Sequence, residues 1–99
     1  MDYQVILSLP ALRDLGEIAR YIAQDNPTAA HRVGLELVEM AESLRILPRR
    51  GGVFRLRPAS RRLVREPYLL VYRIDEAQHV VYVQRFWHAK RNPEFWQLA

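Results

Sequence analysis

Apolar and polar residues alternate near the start of the chain, as they do in a half-buried β-strand. Tyr3, Val5 and Leu7 fall on one face of the segment 3–8, and the residues between them fall on the other. The segment is also rich in β-branched and aromatic residues, which favour extended backbone. The pattern predicts a first strand over residues 3–8.

Apolar residues then recur every three or four positions, which is the spacing of helices. Pro10 occupies a first-turn position, so the first helix is expected over residues 10–24. Asp25, Asn26 and Pro27 combine a capping side chain with a proline that suits a helix start. A second helix is therefore expected from Pro27 to the residue before Pro48. Two helices with so short a link form an antiparallel hairpin. The apolar stripes are Leu12, Leu15, Ile18, Ala19 and Ile22 in the first helix, and Ala30, Val33, Leu37, Met40, Ala41, Leu44 and Leu47 in the second.

The second half of the chain reads as a connector followed by strands. Gly51-Gly52 and Pro58-Ala59-Ser60 interrupt regular structure, with room for a short edge strand between residues 53 and 56. Strands are expected over residues 62–65, 68–75 and 79–88, the last two joined by a turn at 76–78. The tail, residues 90–99, carries Phe95 and Trp96 and is expected to fold back onto the domain.

This element order predicts an α+β fold in a single domain spanning residues 1–99. The order is β-α-α-(β)-β-β-β, with the helical hairpin on one face of a mainly antiparallel sheet. Helices cover one face of such a sheet, which leaves the other open. We expect that open face to carry the arginines of the late strands, namely Arg62, Arg65, Arg73 and Arg85.

Composition excludes several classes of protein. The chain has 99 residues and no cysteine, so disulfide frameworks and cysteine-ligated metals are ruled out. The longest apolar runs, 68–72 and 80–83, are five and four residues, whereas a membrane-spanning helix needs about 20. There is no signal-peptide pattern at the start. A cytoplasmic protein without membrane contact is expected.

Charge is distributed unevenly along the chain. Residues 1–47 contain 4 basic and 7 acidic residues, whereas residues 48–99 contain 11 basic and 4 acidic ones. This asymmetry favours an anionic partner for the second half, although an arginine-rich genome would give the same composition. The basic residues form one group between positions 49 and 65 and a second at 90–91. They include the candidate target-binding residues Arg49, Arg50, Arg61, Arg62, Lys90 and Arg91.

The order and content of these segments resemble the RelE/ParE superfamily, the toxins of type II toxin-antitoxin (plasmid stabilisation) modules. The matching stretches run through nearly the whole chain: Tyr3-Gln4-Val5-Ile6-Leu7-Ser8, Ala11 to Ile22 with its Asp-Leu-x-x-Ile core, Arg62-Leu63-Val64-Arg65, Tyr68 to Ile74, and Val81 to His88. Each stretch alone is a weak signal, but their order and spacing together are specific for the superfamily.

The resemblance implies one of two activities. Some members cut mRNA on the ribosome, and others poison DNA gyrase without acting as nucleases. Both kinds are neutralised by a cognate antitoxin, and operator DNA is bound only through that antitoxin. The candidate catalytic residues, by position in the superfamily, are Arg65, Arg73 and Arg85 around the scissile phosphate and His88 as general acid or base.

Two departures from the ribonuclease pattern favour the gyrase-binding branch. His88 has no tyrosine beside it, since Trp87 and Ala89 are its neighbours, and the region 49–65 contains no lysine. Arg73 and Arg85 have an equally good structural interpretation, as ion-pair partners of Asp75, Glu66 or a helix carboxylate. The hairpin register that would fix their facing is left open.

No cofactor or metal is expected. The three histidines, His31, His79 and His88, lack the spacing of metal ligands. Gly51-Gly52 lacks the surrounding pattern of a phosphate-binding loop.

Overall fold

The computed structural model describes residues 2–88, so Lys90, Arg91 and the predicted packing of Phe95 and Trp96 lie outside the described residues. Two helices and five strands follow one another in the expected order. They are β1 (Gln4–Leu7), α1 (Leu9–Ala23), α2 (Pro27–Glu42), a 3-10 helix (Ser43–Arg45), β2 (Gly52–Val53), β3 (Arg61–Arg65), β4 (Tyr68–Asp75) and β5 (Val80–His88).

Side-chain caps fix both helix starts. The Ser8 hydroxyl accepts a hydrogen bond from the Ala11 N–H at 3.2 Å and donates one to the Gln84 carbonyl at 3.0 Å, which ties α1 to β5. Asn26 caps α2 through its side-chain oxygen, which accepts from the Ala29 N–H at 3.0 Å. Each cap satisfies a backbone donor that a helix start would otherwise leave unpaired. The predicted helical hairpin is confirmed.

The second helix ends earlier than its apolar spacing predicts. It passes into the 3-10 helix at Ser43, and Leu47, predicted as a core position, is 61% exposed. That prediction was wrong because Pro48 disfavours helical backbone at the residue before it. The chain then turns back, and the Pro48 carbonyl accepts a hydrogen bond from the Tyr72 hydroxyl at 2.6 Å.

The five strands form one sheet in the order β1-β5-β4-β3-β2. β1 runs parallel to β5, and every other neighbouring pair is antiparallel. The predicted α+β fold, with its mainly antiparallel sheet, is confirmed. The first strand of the chain thus lies beside the last one described.

A β-bulge in the β4–β5 pair fixes the register that the sequence left open. Val71 lies opposite Arg85 while Tyr72 lies opposite Val83, so Gln84 is the extra residue. Because of this extra residue, the side chains of β5 after the bulge alternate between the two faces of the sheet in the opposite phase to those before it. Val83 before it and Phe86 after it both belong to the core under the helices.

The sheet buries side chains on both faces. Leu37, Leu44, Tyr72, Val81 and Phe86 are among the residues of the main core, which lies between the sheet and the helices. A second, smaller cluster covers part of the reverse face, where Phe54 packs on Leu69 and Val71 with Trp87 at its edge.

The expectation of an open reverse face is therefore wrong for its centre. The connector that carries Phe54 crosses this face and is held by Ser60, whose hydroxyl donates to the Gln84 side chain at 2.7 Å. The sequence breaks at 51–52 and 58–60 correctly placed the connector. They did not reveal that an aromatic between them would cover Leu69 and Val71, both almost fully buried.

Candidate functional site

Arg85 is held by a carboxylate of the first helix. Its Nε and Nη2 donate to the two carboxylate oxygens of Asp14 at 2.7 and 3.0 Å, and the backbone N–H of Phe86 donates to the same carboxylate at 3.0 Å. Hydrogen bonding to Asp14 raises the pKa of Arg85 above its ordinary value. The pair is bidentate and only partly exposed, which makes it one of the stronger kinds of protein ion pair.

The position of Asp14 follows from where β1 ends. β1 pairs with β5 only as far as Val83, so the outer edge of β5 beyond that point has no strand beside it. Asp14 on α1 accepts the Phe86 N–H at this edge, taking the place of a strand carbonyl. The Arg85 guanidinium also lies 5.5 Å from the centre of the Trp87 ring. The contact with α1, the free edge of β5 and the bulge at Gln84 together fix the Arg85 side chain.

His88 and Arg65 lie in one row across the helix-facing side of the sheet. Tyr68 lies between them, opposite His88 on β5 and opposite Arg65 on β3. The His88 ring is buried, with the rings of Tyr68 and Tyr21 at 5.0 and 6.3 Å. Burial, with Glu36 as a second cause, raises the pKa of Tyr68. Two strand spacings put Arg65 about 10 Å from His88, measured between their backbones.

Arg65 is partly neutralised by the second helix. Its guanidinium lies 3.8 Å from the Glu36 carboxylate, and both side chains are exposed enough for solvent to weaken the pair. Arg65 also lines, with Arg50, a groove of about 430 Å³ between α2 and β3. Its pairing with Tyr68 puts it on the helix side of the sheet, whereas the sequence predicted the open side.

Arg73 is remote from the other three candidates. It lies opposite Tyr82, near the other end of β4, and its guanidinium is 4.3 Å from the centre of that ring. Five strand positions separate it from Tyr68, which corresponds to about 17 Å along the strand. Strand alternation also puts it on the reverse face, so Arg73 cannot contact a phosphate held beside His88.

The structure brings two of the four candidates into one small cavity. Arg85 and His88 line a space of about 140 Å³ together with the carboxylates of Asp14 and Glu17. A phosphate entering it would meet two negative side chains and a guanidinium that is already paired. The cavity therefore offers little net attraction to an anion.

The candidate target-binding residues that lie within the described chain have different partners. Arg49 pairs with Glu76, Arg50 donates to the Ser43 hydroxyl at 2.6 Å, and Arg61 donates to the Gly51 carbonyl at 2.8 Å. Arg62 is half-buried, and its Nε is a buried atom without a hydrogen-bond partner within residues 2–88. The arginines of this region are thus dispersed around the end of the sheet.

Asp14 is the functional residue that sequence reasoning missed. The sequence predicts the apolar stripe of α1 as Leu12, Leu15, Ile18, Ala19 and Ile22. Ile18 is indeed buried, but the other fully buried positions of the helix are Ala11 and Asp14. A carboxylate at the spacing of two buried apolar residues was a usable signal, because buried carboxylates are normally paired. Its partner 71 positions away could not be deduced from spacing.

Within residues 2–88, no cluster of three or more histidine, aspartate or glutamate side chains could hold a metal ion. No helix in that range is long and apolar enough to cross a membrane.

The family model of the ParE toxin of the type II toxin-antitoxin system, parDE, matches residues 5–93. The chain belongs to this family of toxins. It is also 40% identical over 90 residues to Toxin RelE2 of Caulobacter vibrioides, a match that covers 89% of this chain and 97% of that protein. The predicted membership of the RelE/ParE superfamily is confirmed.

Two solved structures have the same fold as this ParE family member. One is the toxin-antitoxin complex RelBE2 from Mycobacterium tuberculosis, with a TM-score of 0.70, 29% identity and coverage of 89% of this chain and 99% of that one. The other is the chromosomal ParDE system from P. aeruginosa, with a TM-score of 0.74, 21% identity and coverage of 87% and 95%. The chain is the toxin component of a type II toxin-antitoxin module.

Proposed function

We propose that this toxin arrests growth by binding DNA gyrase, and that it does not cut RNA. The observation that carries the proposal is the ion pair between Arg85 and Asp14. Arg85 is the candidate arginine that lines the same cavity as His88. RNA cleavage requires a free cation at the scissile phosphate and a proton-transfer group beside it. The match to the ParE family model also supports this activity.

The separation of Arg73 from the other candidates is a second argument that the toxin acts by binding a protein and not by cutting RNA. Arg73 lies near the far end of β4 and on the reverse face, so it cannot share a phosphate with Arg65 and His88. A binding toxin needs no such convergence, because its arginines contact separate points of a large protein surface.

A ribosome-dependent mRNA endoribonuclease is the second candidate. One observation favours it: Arg65, Tyr68 and His88 form a row on the helix-facing side of the sheet. In this mechanism Arg65 would stabilise the phosphate charge, and His88 or Tyr68 would transfer a proton.

Two assays on the purified toxin separate these candidates. We expect micromolar toxin to inhibit supercoiling by purified gyrase and to leave mRNA intact in a translation extract. Unchanged supercoiling together with cut mRNA would refute gyrase binding.

A substitution gives an independent check. His88→Ala should leave growth arrest intact if the toxin acts by binding, whereas it should abolish arrest if His88 transfers a proton. His88 is buried against Tyr21 and Tyr68, so the variant's thermal unfolding must be compared with that of the parent toxin.

The cognate antitoxin is the expected second partner. The two structural relatives are described as toxin-antitoxin assemblies. The basic half of this chain suits an acidic, amphipathic segment that folds as it binds. Co-expression with the product of an adjacent short reading frame should restore growth.

A further inference from the structure

Two consecutive aliphatic residues project from the end of the molecule at the close of the helical segment. Ile46 is 70% exposed and Leu47 is 61% exposed. With Tyr3 and Pro48 they border a concavity of about 430 Å³, which Arg49 and Arg50 complete. We call Tyr3 and residues 46–48 the apolar end patch. Burying such a pair of aliphatic side chains would be favourable, and this fold leaves most of their surface exposed.

The backbone around this patch is held on both sides. The Tyr3 N–H donates to the Arg45 carbonyl at 2.8 Å, and the Tyr72 hydroxyl donates to the Pro48 carbonyl at 2.6 Å. The same hydroxyl accepts the Gly51 N–H at 3.1 Å. Ile46 and Leu47 are therefore presented by a fixed segment, and a preformed surface loses little entropy when a partner binds.

Arginines surround the apolar end patch. Arg45 pairs with Asp2 at 3.1 Å, and Arg49 pairs with Glu76. Arg50 donates to the Ser43 hydroxyl and has no carboxylate partner among residues 2–88. Three guanidinium groups against two carboxylates give the rim a net positive charge. Arginine and tyrosine, which surround the aliphatic centre, are both enriched in protein-binding hot spots.

We infer that the apolar end patch is the surface through which this toxin contacts an acidic region of its protein target, with Ile46 and Leu47 entering an apolar pocket and Arg50 meeting a carboxylate. The inference rests on the proposed function, because it assumes that the toxin acts by binding a protein.

The charge of the rim argues against other occupants. A second copy of the chain would bring two positive rims together, which is unfavourable at close range. RNA or DNA would find little to stack on, because the centre of the patch is aliphatic and the ring of Tyr3 is already stacked on His79 at 4.4 Å.

The test compares two doubly substituted toxins. Ile46→Asp/Leu47→Asp changes the patch, and Leu9→Asp/Leu35→Asp places the same charges on leucines of the helices that are 67% and 52% exposed. Induced growth arrest and binding to purified gyrase are measured for both, with thermal unfolding to verify folding. We expect the patch variant to need at least about tenfold more toxin for either effect, and the control to match the parent.

A charge reversal provides a second route should the double variant fold poorly. Arg50→Glu should weaken arrest and gyrase binding by about tenfold, whereas Arg13→Glu on the surface of α1 should leave both unchanged.

The outcomes test the binding surface separately from the identity of the target. Full arrest by the patch variant would overturn the inference while leaving gyrase as a possible target. Arrest lost only in the patch variant, with no gyrase binding by the parent, would support the surface and refute gyrase. Equal losses in both variants, binding of the parent to anionic lipid vesicles through this patch, or a parent dimer that dissociates in the patch variant would each overturn it.

Discussion

Asp14 is the residue on which the late half of β5 depends. Its carboxylate accepts three hydrogen bonds, two from Arg85 and one from the Phe86 backbone. It therefore does two jobs: it closes a strand edge and neutralises a strand arginine. Arg85, which the sequence suggests as a phosphate ligand, instead helps to attach α1 to the sheet.

Replacing Asp14 by alanine should destabilise the fold by about 2–4 kcal/mol, because Arg85 and the Phe86 N–H would both lose their acceptor in a partly buried site. Chemical denaturation measures the effect. Glu17→Ala is a suitable control on the same helix, since Glu17 is exposed, and should change the free energy of unfolding by less than about 0.5 kcal/mol. Equal effects from the two substitutions would contradict the role of Asp14.

Tyr72 makes stability sensitive to alkaline pH. Burial raises the pKa of its hydroxyl above the ordinary value of 10.0. The unfolded chain then loses the phenolic proton before the folded one, so the free energy of unfolding should fall as pH rises above about 10. Tyr72→Phe should reduce this fall, leaving the contribution of Tyr68, whose pKa is also raised.

At neutral pH the same substitution should cost about 1–3 kcal/mol, since the Pro48 carbonyl and the Gly51 N–H both lose their partner. Urea denaturation at pH 7, 9 and 10.5 measures both effects. An unchanged pH dependence in Tyr72→Phe would show that the hydroxyl titrates alike in the folded and the unfolded chain, which would contradict the raised pKa.

At the scale of elements, strands and helices were predictable wherever a local signal sets them. Pro10 and the Asp25-Asn26-Pro27 stretch gave both helix starts to within one residue, and the β-rich run 68–75 matched β4 at both ends. The late end of α2 was not predictable from its stripe, because Leu44 and Leu47 fit the same spacing and only the former is buried.

The candidate site was less predictable than the fold because it depends on contacts that are distant in sequence. The residues Arg65, Arg73, Arg85 and His88 were correctly placed on strands, but their facing depends on a bulge at Gln84 and on the edge left by β1. Neither feature has a composition signal in this chain. An alternation of apolar and polar residues along a strand cannot reveal where one extra residue changes its phase.

Two glycines test how the elements accommodate a side chain. A Cβ at Gly51 would overlap the Arg62 carbonyl oxygen and lie 2.7 Å from the Tyr72 hydroxyl, whereas a Cβ at Gly34, within α2, would meet nothing within 4 Å. Gly51→Ala should therefore cost about 1–3 kcal/mol. Gly34→Ala should stabilise the toxin by about 0.5–1 kcal/mol through helix propensity alone.

Thermal unfolding of the two variants provides the comparison, with the parent toxin as reference. The sign of the change should differ between the two sites. A loss of stability in Gly34→Ala would mean that α2 has a neighbour at this position that the contacts among the described residues do not contain.

At the scale of the whole molecule, the basic residues surround the sheet and do not gather on one face. Arg73 lies on the reverse side, Arg65 on the helix side and Arg85 at an edge, and the connector covers the centre of the reverse side. Such a distribution attracts an acidic partner from several directions, which affects the rate of encounter more than the strength of any one contact.

If gyrase is the target, as we propose, salt should therefore slow association of the toxin with gyrase more than it speeds dissociation. With a formal net charge of +4, we expect the association rate constant to fall several-fold between about 50 and 300 mM salt, while the dissociation rate constant changes less than twofold. Surface plasmon resonance at a series of salt concentrations measures both. The reverse pattern would indicate that the attraction comes from ion pairs buried in the complex.

The parallel pairing of β1 with β5 has a consequence for synthesis. β5 lies between β1 and β4 in the sheet and is translated last of the three. A nascent chain shorter than 88 residues lacks part of the strand that its amino terminus must join, so native assembly waits until translation has passed this point.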